Sequence, residues 1–170
     1  EGRSEADLAE RRAAVAALDG LKPVVAHRRL LALLGRTPDS VDVLAALERV
    51  LGDLVASSRD PEVIRIHRRD RKRAIARVKV LYAAEQIEAG ELRLARVNLR
   101  LARKSRPSQG AAWVLTCLEQ LRRADEVRAL ATLQEWRQTG FDDPEALRVF
   151  PEIVPLLSRP ELAAWSDGSR

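Results

Sequence analysis

Apolar residues recur along this chain at the three- and four-residue spacing of amphipathic helices, and few stretches alternate with the period of two that marks a strand. The spacing predicts helices over 4–18, from 23 to 34 and over 37–58. Thr37 is expected to be the N-cap of the third helix, and Gly35 the left-handed residue that ends the second. The chain is therefore predicted to be all-α.

A long fourth helix is predicted from Pro61 to Ala89, because Gly90 is the first helix breaker after Pro61. It would be about 43 Å long at ~1.5 Å per residue. Its apolar residues share one side, and a run of cations covers the other. We call these cations the basic stripe: Arg65, Arg68, Arg69, Arg71, Lys72 and Arg73.

The second half of the chain repeats itself with a period of about 34 residues, which is within the range of stacked helical repeats. Three sets of residues coincide when the sequence is moved by one period: Val80-Leu81 with Val114-Leu115, Glu85-Gln86-Ile87 with Glu119-Gln120-Leu121, and Ala95 and Leu99 with Ala129 and Leu133. Each copy is predicted to contain two helices, 76–89 with 91–104 and 110–122 with 125–138. A fixed period of this kind indicates stacked helical hairpins.

This pattern resembles the tetratricopeptide repeat, over residues 76–141. Gly90 falls at the turn between the two helices of the first copy, and Ala124 replaces it in the second. Ala95 lies where the second helix of the family packs closely, and Cys117 occupies a position that requires a small buried side chain. Residues 142–165 resemble the short-helix cap that ends many bacterial arrays of this family.

The resemblance implies a right-handed α-solenoid of hairpins over 61–141, with an N-terminal helical region over 1–60 and a cap and tail over 142–170. In this family the first helices of successive hairpins line a concave groove. Carried over residue by residue, the groove consists here of Arg77, Val80, Leu81, Ala84, Ile87, Glu88, Ala111, Val114, Leu115, Leu118, Leu121 and Arg122. We call these the groove residues.

The groove residues are mostly apolar, which favours a hydrophobic partner over a terminal carboxylate, since arrays that clamp a carboxylate place Lys and Asn there. Monomers rarely expose large apolar patches. We therefore expect a protein or peptide in the groove: an amphipathic helix, a second copy of the chain, or the chain's own N-terminal helices.

A positive net charge of +5 admits a different class of partner. The basic stripe would then bind nucleic acid or another acidic surface, and such binding would depend steeply on salt. Acidic residues are mixed with basic ones along most of the chain, and no aromatic residue is interleaved in the stripe to stack on bases. A solvated helix face is therefore the favoured interpretation, and nucleic-acid binding the alternative.

The residues that carry catalysis in other proteins are few. His27 and His67 are the only histidines, Cys117 is the only cysteine, and the glycines do not form a phosphate-binding loop. No set of His, Cys, Asp and Glu has the spacing of metal ligands. We therefore expect a non-catalytic protein without cofactors, with both histidines at the surface and Cys117 in the core.

Two further expectations concern the origin of the chain. It contains no methionine, so we expect a fragment, a processed form or a trimmed piece, and an accessory helical domain of a larger enzyme stays an alternative. A lone thiol fits a reducing cytosol, and no apolar run approaches the ~18 residues of a membrane span. A cytoplasmic location is therefore predicted.

Overall fold

The computed structural model describes residues 5–142, 147–148 and 150–162. Within these residues all regular structure is helical and no strand occurs, which confirms the all-α prediction. The helices are α1 (Glu5–Ala16), α2 (Pro23–Arg36), α3 (Val41–Ser57), α4 (Pro61–Glu88), α5 (Leu92–Ser105), α6 (Gly110–Arg122), α7 (Glu126–Gln138) and α8 (Val154–Leu157), followed by a 3₁₀ turn at Pro160–Leu162.

The long helix α4 begins and ends where the sequence predicts. Asp60 caps its first turn, because its Oδ1 accepts hydrogen bonds from the N–H groups of Glu62 (2.9 Å) and Val63 (3.4 Å). Pro61 stands in the first turn, where a missing N–H removes no helical hydrogen bond. The helix then continues without interruption to Glu88.

The boundary between α2 and α3 differs from the prediction. Thr37 ends α2 instead of beginning α3: its N–H and its hydroxyl both donate to the Leu33 carbonyl at 2.9 Å. Gly35 therefore lies inside α2, and Ser40 caps α3 by accepting from the Val43 N–H at 3.5 Å. The physical reason is Pro38, which disfavours helical backbone at the residue before it.

The chain divides into two compact units, Glu1–Leu81 and Tyr82–Arg170, so the division falls within α4. The boundary predicted at residue 60 lies in the segment between α3 and α4. In the first unit α2 packs along α3, and α1 packs against α3. The core between them is aliphatic: Leu18, Ala26, Leu30, Val43, Ala46, Leu47, Leu51 and Leu54.

In the second unit α6 packs against both α5 and α7. The main core lies between α6, α7 and the C-terminal segment, and it contains Trp113, Val114, Cys117, Ala129, Leu133, Trp136, Leu147, Ile153, Leu156 and Leu162. A smaller core joins α5 to the end of α4. Residues 143–146, 149 and 163–165 of the predicted cap lie outside the described residues.

The turn between α4 and α5 depends on a left-handed residue. Gly90 has a φ of 76°, and its N–H donates to the Ile87 carbonyl at 3.2 Å. The N–H of Glu91 then reaches back to the Gln86 carbonyl at 2.7 Å. These two bonds satisfy carbonyls that would otherwise have no partner at the end of a helix.

The turn between α6 and α7 has the same geometry in the second copy of the repeat. Ala124 adopts a φ of 56° although it carries a Cβ, and its N–H donates to the Leu121 carbonyl at 2.9 Å. The Asp125 N–H donates to the Gln120 carbonyl, also at 2.9 Å. Both turns therefore share these two hydrogen bonds. The preceding residue differs, because the Ala89 N–H donates to the Glu85 carbonyl at 2.9 Å, whereas the Arg123 N–H donates to the Gln120 carbonyl at 3.1 Å.

Side chains repeat with the same offset across each pair of helices. The Asn98 side-chain amide donates to Gln86 Oε1 at 2.9 Å, and the Thr132 hydroxyl donates to Gln120 Oε1 at 2.9 Å. Three pairs of equivalent residues on the same helices are fully or almost fully buried in both copies: Ala83 and Cys117, Ala95 and Ala129, Leu99 and Leu133. The period in the sequence thus corresponds to two equivalent helix ends and two equivalent side-chain contacts.

The two turns predict opposite effects of an exchange between glycine and alanine. Ala124→Gly should raise the free energy of unfolding by roughly 0.5–1 kcal/mol, because left-handed backbone costs an L-residue ~1–2 kcal/mol and glycine loses only part of that in chain entropy. Gly90→Ala should lower it by roughly 1 kcal/mol through backbone strain alone, since no atom of a residue beyond its two chain neighbours lies within 4 Å of the added Cβ. Urea denaturation of the two variants checks this, and a change of the same sign at both turns would contradict it.

Candidate interaction surfaces

Several groove residues of the second unit already pack inside the protein. Val114 belongs to the main core and is 5% exposed. Leu115 packs against the small core of α4 and α5, and Leu118 and Leu121 pack against the main core. These four side chains therefore offer a partner less surface than an open apolar groove would.

The other groove residues vary widely in exposure. Val80 is 8% exposed and Ile87 6%. Arg77 is half-buried and its guanidinium lies 2.7 Å from the Asp39 carboxylate. The remaining members are Leu81 and Ala84, which are half-buried, and Glu88, Ala111 and Arg122, which are exposed.

Most of the basic stripe is paired with carboxylates. Arg68 and Lys72 are the two members without an ion pair among the described residues. The other four have a carboxylate oxygen within 4 Å: Arg65 at Glu62 (2.6 Å), Arg71 at Glu48 (2.6 Å), and Arg69 and Arg73 at Asp70 (3.5 and 3.6 Å). Exposed pairs add little stability, but three carboxylates reduce the positive field that an anionic partner would meet.

The guanidinium of Arg71 also lies beside a glycine inside a helix. Gly52 lies in the interior of α3, where glycine costs roughly 1 kcal/mol relative to alanine. A Cβ at this position would lie 3.4 Å from the guanidinium carbon of Arg71. This is an ordinary van der Waals distance, so a Cβ at residue 52 would contact Arg71 without displacing it.

The two histidines, which were expected at the surface, meet in the structure, and nothing in their spacing predicts this contact. The ring of His27 on α2 and the ring of His67 on α4 pack edge to face, with centroids 5.6 Å apart, and both residues are half-buried. Burial and the neighbouring His67 lower the pKa of His27, whereas Asp70 acts in the opposite direction. Among the described residues no group of three or more His, Cys, Asp and Glu side chains is arranged to hold a metal ion.

Cys117 lies in the main core of the second unit and is fully buried, as predicted. Burial raises the pKa of its thiol to about 12. Thiolate is the nucleophilic form of cysteine, so at neutral pH this side chain is an inert core residue.

Glu119 is a buried carboxylate that the sequence does not single out. It is 1% exposed and lies 3.3 Å from the Arg96 guanidinium of α5 and 3.7 Å from that of Arg123. Burial raises its pKa from the ordinary value, and Arg96 opposes this effect without cancelling it. Its counterpart in the first copy, Glu85, is exposed.

One helix of the second unit exposes a row of apolar side chains. Leu94, Val97 and Leu101 of α5 are 53%, 57% and 41% exposed. Their spacing of three and four residues places them on one face of the helix. We call these three residues the α5 stripe.

The second hairpin shows that the fold does not require the α5 stripe. The counterparts of Leu94, Val97 and Leu101 on α7 are charged or small: Arg128, Ala131 and Glu135. The buried positions of the two helices agree, whereas these exposed positions do not. The stripe is therefore present on α5 and absent from its counterpart α7.

The α5 stripe could have been found in the sequence. Half of the residues from 92 to 105 are apolar, and at about 100° per residue they spread over roughly 220° of the helix, which is wider than the ~100° stripe of one buried face. One apolar set, which includes Ala95 and Leu99, is retained in the second copy and is buried. The apolar residues left over form the stripe.

Comparison with protein-family models, with curated proteins and with solved structures gives no match for this chain. None of the helices in the described residues combines the length and the apolar character that crossing a membrane demands. What the described residues establish is an all-α protein with two equivalent hairpin turns.

Substitution of Cys117 tests its place in the core. Cys117→Ser should lower the free energy of unfolding by roughly 1–3 kcal/mol, because a hydroxyl would be buried among apolar side chains. Cys117→Ala should cost less than Cys117→Ser, since it buries no polar group. The thiol of the native protein should react with a thiol reagent only as fast as the second unit opens, and rapid, complete labelling would contradict its burial.

Glu119 predicts a specific pH dependence of stability. Its raised pKa means that the folded protein binds the proton more tightly than the unfolded chain. The stabilisation is therefore complete below the unfolded pKa and is lost as pH rises through the folded pKa. The free energy of unfolding of the wild type relative to Glu119→Gln should thus fall as the pH rises above about 4, the ordinary pKa of a glutamate.

Urea denaturation across this pH range measures the difference. Glu85→Gln is the matched control, because the exposed counterpart should show a much smaller dependence. The prediction would be contradicted if the free energy of unfolding of the wild type rose with pH relative to that of Glu119→Gln. That result would show that the two arginines lower the pKa of Glu119 by more than burial raises it.

Proposed function

We propose that this chain is a non-catalytic recognition module that binds another protein or peptide through its helical hairpins. The observation that carries the proposal is the α5 stripe, three exposed apolar side chains at positions where the equivalent helix has none of comparable size. Isolated exposed apolar residues are normal, but a contiguous row on a helix is typical of an interaction site.

The stripe is a better docking surface than the groove residues carried over from the family. Val114 is buried, and Leu115 and Leu118 already contact a core. Leu94, Val97 and Leu101 each keep two fifths or more of their surface exposed. A row at spacing i, i+3, i+7 is the pattern with which one helix packs against another.

The double variant Leu94→Gln, Leu101→Gln tests the proposal. Glutamine is nearly as good a helix former as leucine, and both side chains are well exposed, so the variant should stay folded with unchanged circular dichroism. Immobilised wild type should retain proteins from a lysate of its native cells that the double variant does not retain. Burial of each such side chain at an interface is worth roughly 1.5–3 kcal/mol, so affinity should fall at least tenfold.

Val127→Gln is the matched control. Val127 is an apolar residue on α7 that is 80% exposed and lies outside the stripe, so its replacement should retain the wild-type set of proteins. A folded double variant that retains the same proteins as wild type would refute the role of the stripe.

A further inference from the structure

A row of cations runs along one edge of the α5 stripe. The three residues of this basic edge are Arg93, Arg100 and Lys104, all of them exposed. At about 100° per residue they share a face that adjoins the stripe. No ion pair is found for any of the three among the residues that the structure describes.

The remaining two cations of α5 are already engaged. Arg96 pairs with the buried Glu119 at 3.3 Å. Arg103 lies over the ring of Trp113, 4.6 Å from its centroid, and 3.6 Å from the Glu135 carboxylate. The cations of α5 thus divide into two that bind inside the unit and three that lie beside the stripe.

The basic edge, like the stripe, has no counterpart in the second hairpin. The residues equivalent to Arg93, Arg100 and Lys104 in the second copy are Val127, Gln134 and Gln138. The apolar row and the charged row therefore both occur on α5, and both are absent from α7. Such a pair of rows is complementary to a helix with an apolar row and an acidic edge.

We infer that the occupant of the α5 stripe is an amphipathic helix whose acidic edge lies against Arg93, Arg100 and Lys104. This inference rests on the proposed function and names the chemistry of the partner. Leu94, Val97 and Leu101 receive the apolar row of that helix, and the three cations meet its carboxylates. The charges fix the direction from which the partner docks and raise its association rate more than its affinity.

A second copy of the chain fits this surface less well. The sequence of α5 contains no Asp or Glu, so the α5 of another copy would bring five more cations and no carboxylate. An anionic membrane fits less well too. The stripe covers only roughly 60° of the helix, less than the apolar face of a membrane-surface helix, and Ala95, Leu99 and Ala102 on another face are buried in the protein.

Three synthetic helical peptides test the inference with the full 170-residue chain. They share one row of leucines at i, i+3 and i+7 and differ only along one edge, which carries Glu, Gln or Lys. Fluorescence anisotropy should show that the Glu peptide binds about tenfold tighter than the Gln peptide at low salt, as expected for three exposed ion pairs. This advantage should shrink as salt screens the charges, and the Lys peptide should bind most weakly.

Charge reversal gives the sharper test. The triple variant Arg93→Glu, Arg100→Glu, Lys104→Glu should prefer the Lys peptide over the Glu peptide. The control variant Gln134→Glu, Gln138→Glu on α7 should keep the wild-type preference. Leu94→Gln, Leu101→Gln should weaken the binding of all three peptides.

The remaining outcomes overturn the inference in distinguishable ways. Equal affinity for the Glu and Gln peptides, with binding still lost in the double glutamine variant, would refute the acidic edge and leave the proposed function standing. If none of the three peptides binds, the partner is not an amphipathic helix. If, in addition, the wild type and the double glutamine variant retain the same proteins from the lysate, the proposed function is refuted as well. Stripe-dependent binding to phosphatidylserine vesicles, or stripe-dependent dimerisation in sedimentation equilibrium, would assign the surface to a membrane or to a second copy instead.

Discussion

Each hairpin of the second unit is held by one glutamine that makes two contacts. The carbonyl of Gln86 accepts the Glu91 N–H within the turn, and its side-chain oxygen accepts the Asn98 amide across the hairpin. Gln120 accepts the Asp125 N–H and the Thr132 hydroxyl in the same way. One residue therefore fixes both the path of the turn and the rotation of the second helix about its axis. That rotation decides which apolar residues of α5 reach the core and which remain at the surface.

The features that depend on local chemistry could be predicted from the sequence. Apolar spacing at 3.6 residues and the cap at Asp60 give the extent of α4 to within a residue. The self-similarity of the second half gives the paired helices and the burial of Cys117. Where two local signals compete, the sequence is a weaker guide. Both Thr37 and Ser40 are good caps, and the restriction that Pro38 imposes decides between them.

The features that depend on contacts between distant residues could not be predicted in this way. His27 and His67 lie far apart in the sequence, and their meeting depends on how α2 packs against α4. The same holds for Arg71, whose partner Glu48 belongs to α3. A run of cations in the sequence thus gives only an upper limit to the positive charge of the surface, because carboxylates from other helices can pair with those cations. The α5 stripe is a different case, because it can be found by comparing the two copies of the repeat. The buried apolar positions are the same in both copies, and the exposed apolar residues that are charged or small in the second copy form the stripe.

The hydrogen bonds across the hairpins have a consequence for ancestry. Asn98 and Thr132 differ in size and chemistry, yet each supplies a donor to the same acceptor, and Gly90 and Ala124 differ while the turn persists. After a tandem duplication, such a hairpin can exchange its donor and its turn residue as long as the glutamine acceptor stays. A sequence profile that weights the familiar turn glycine would overlook descendants of this kind. A profile would retrieve them if it weighted a side-chain acceptor four positions before the left-handed residue, together with a side-chain donor twelve positions after that acceptor.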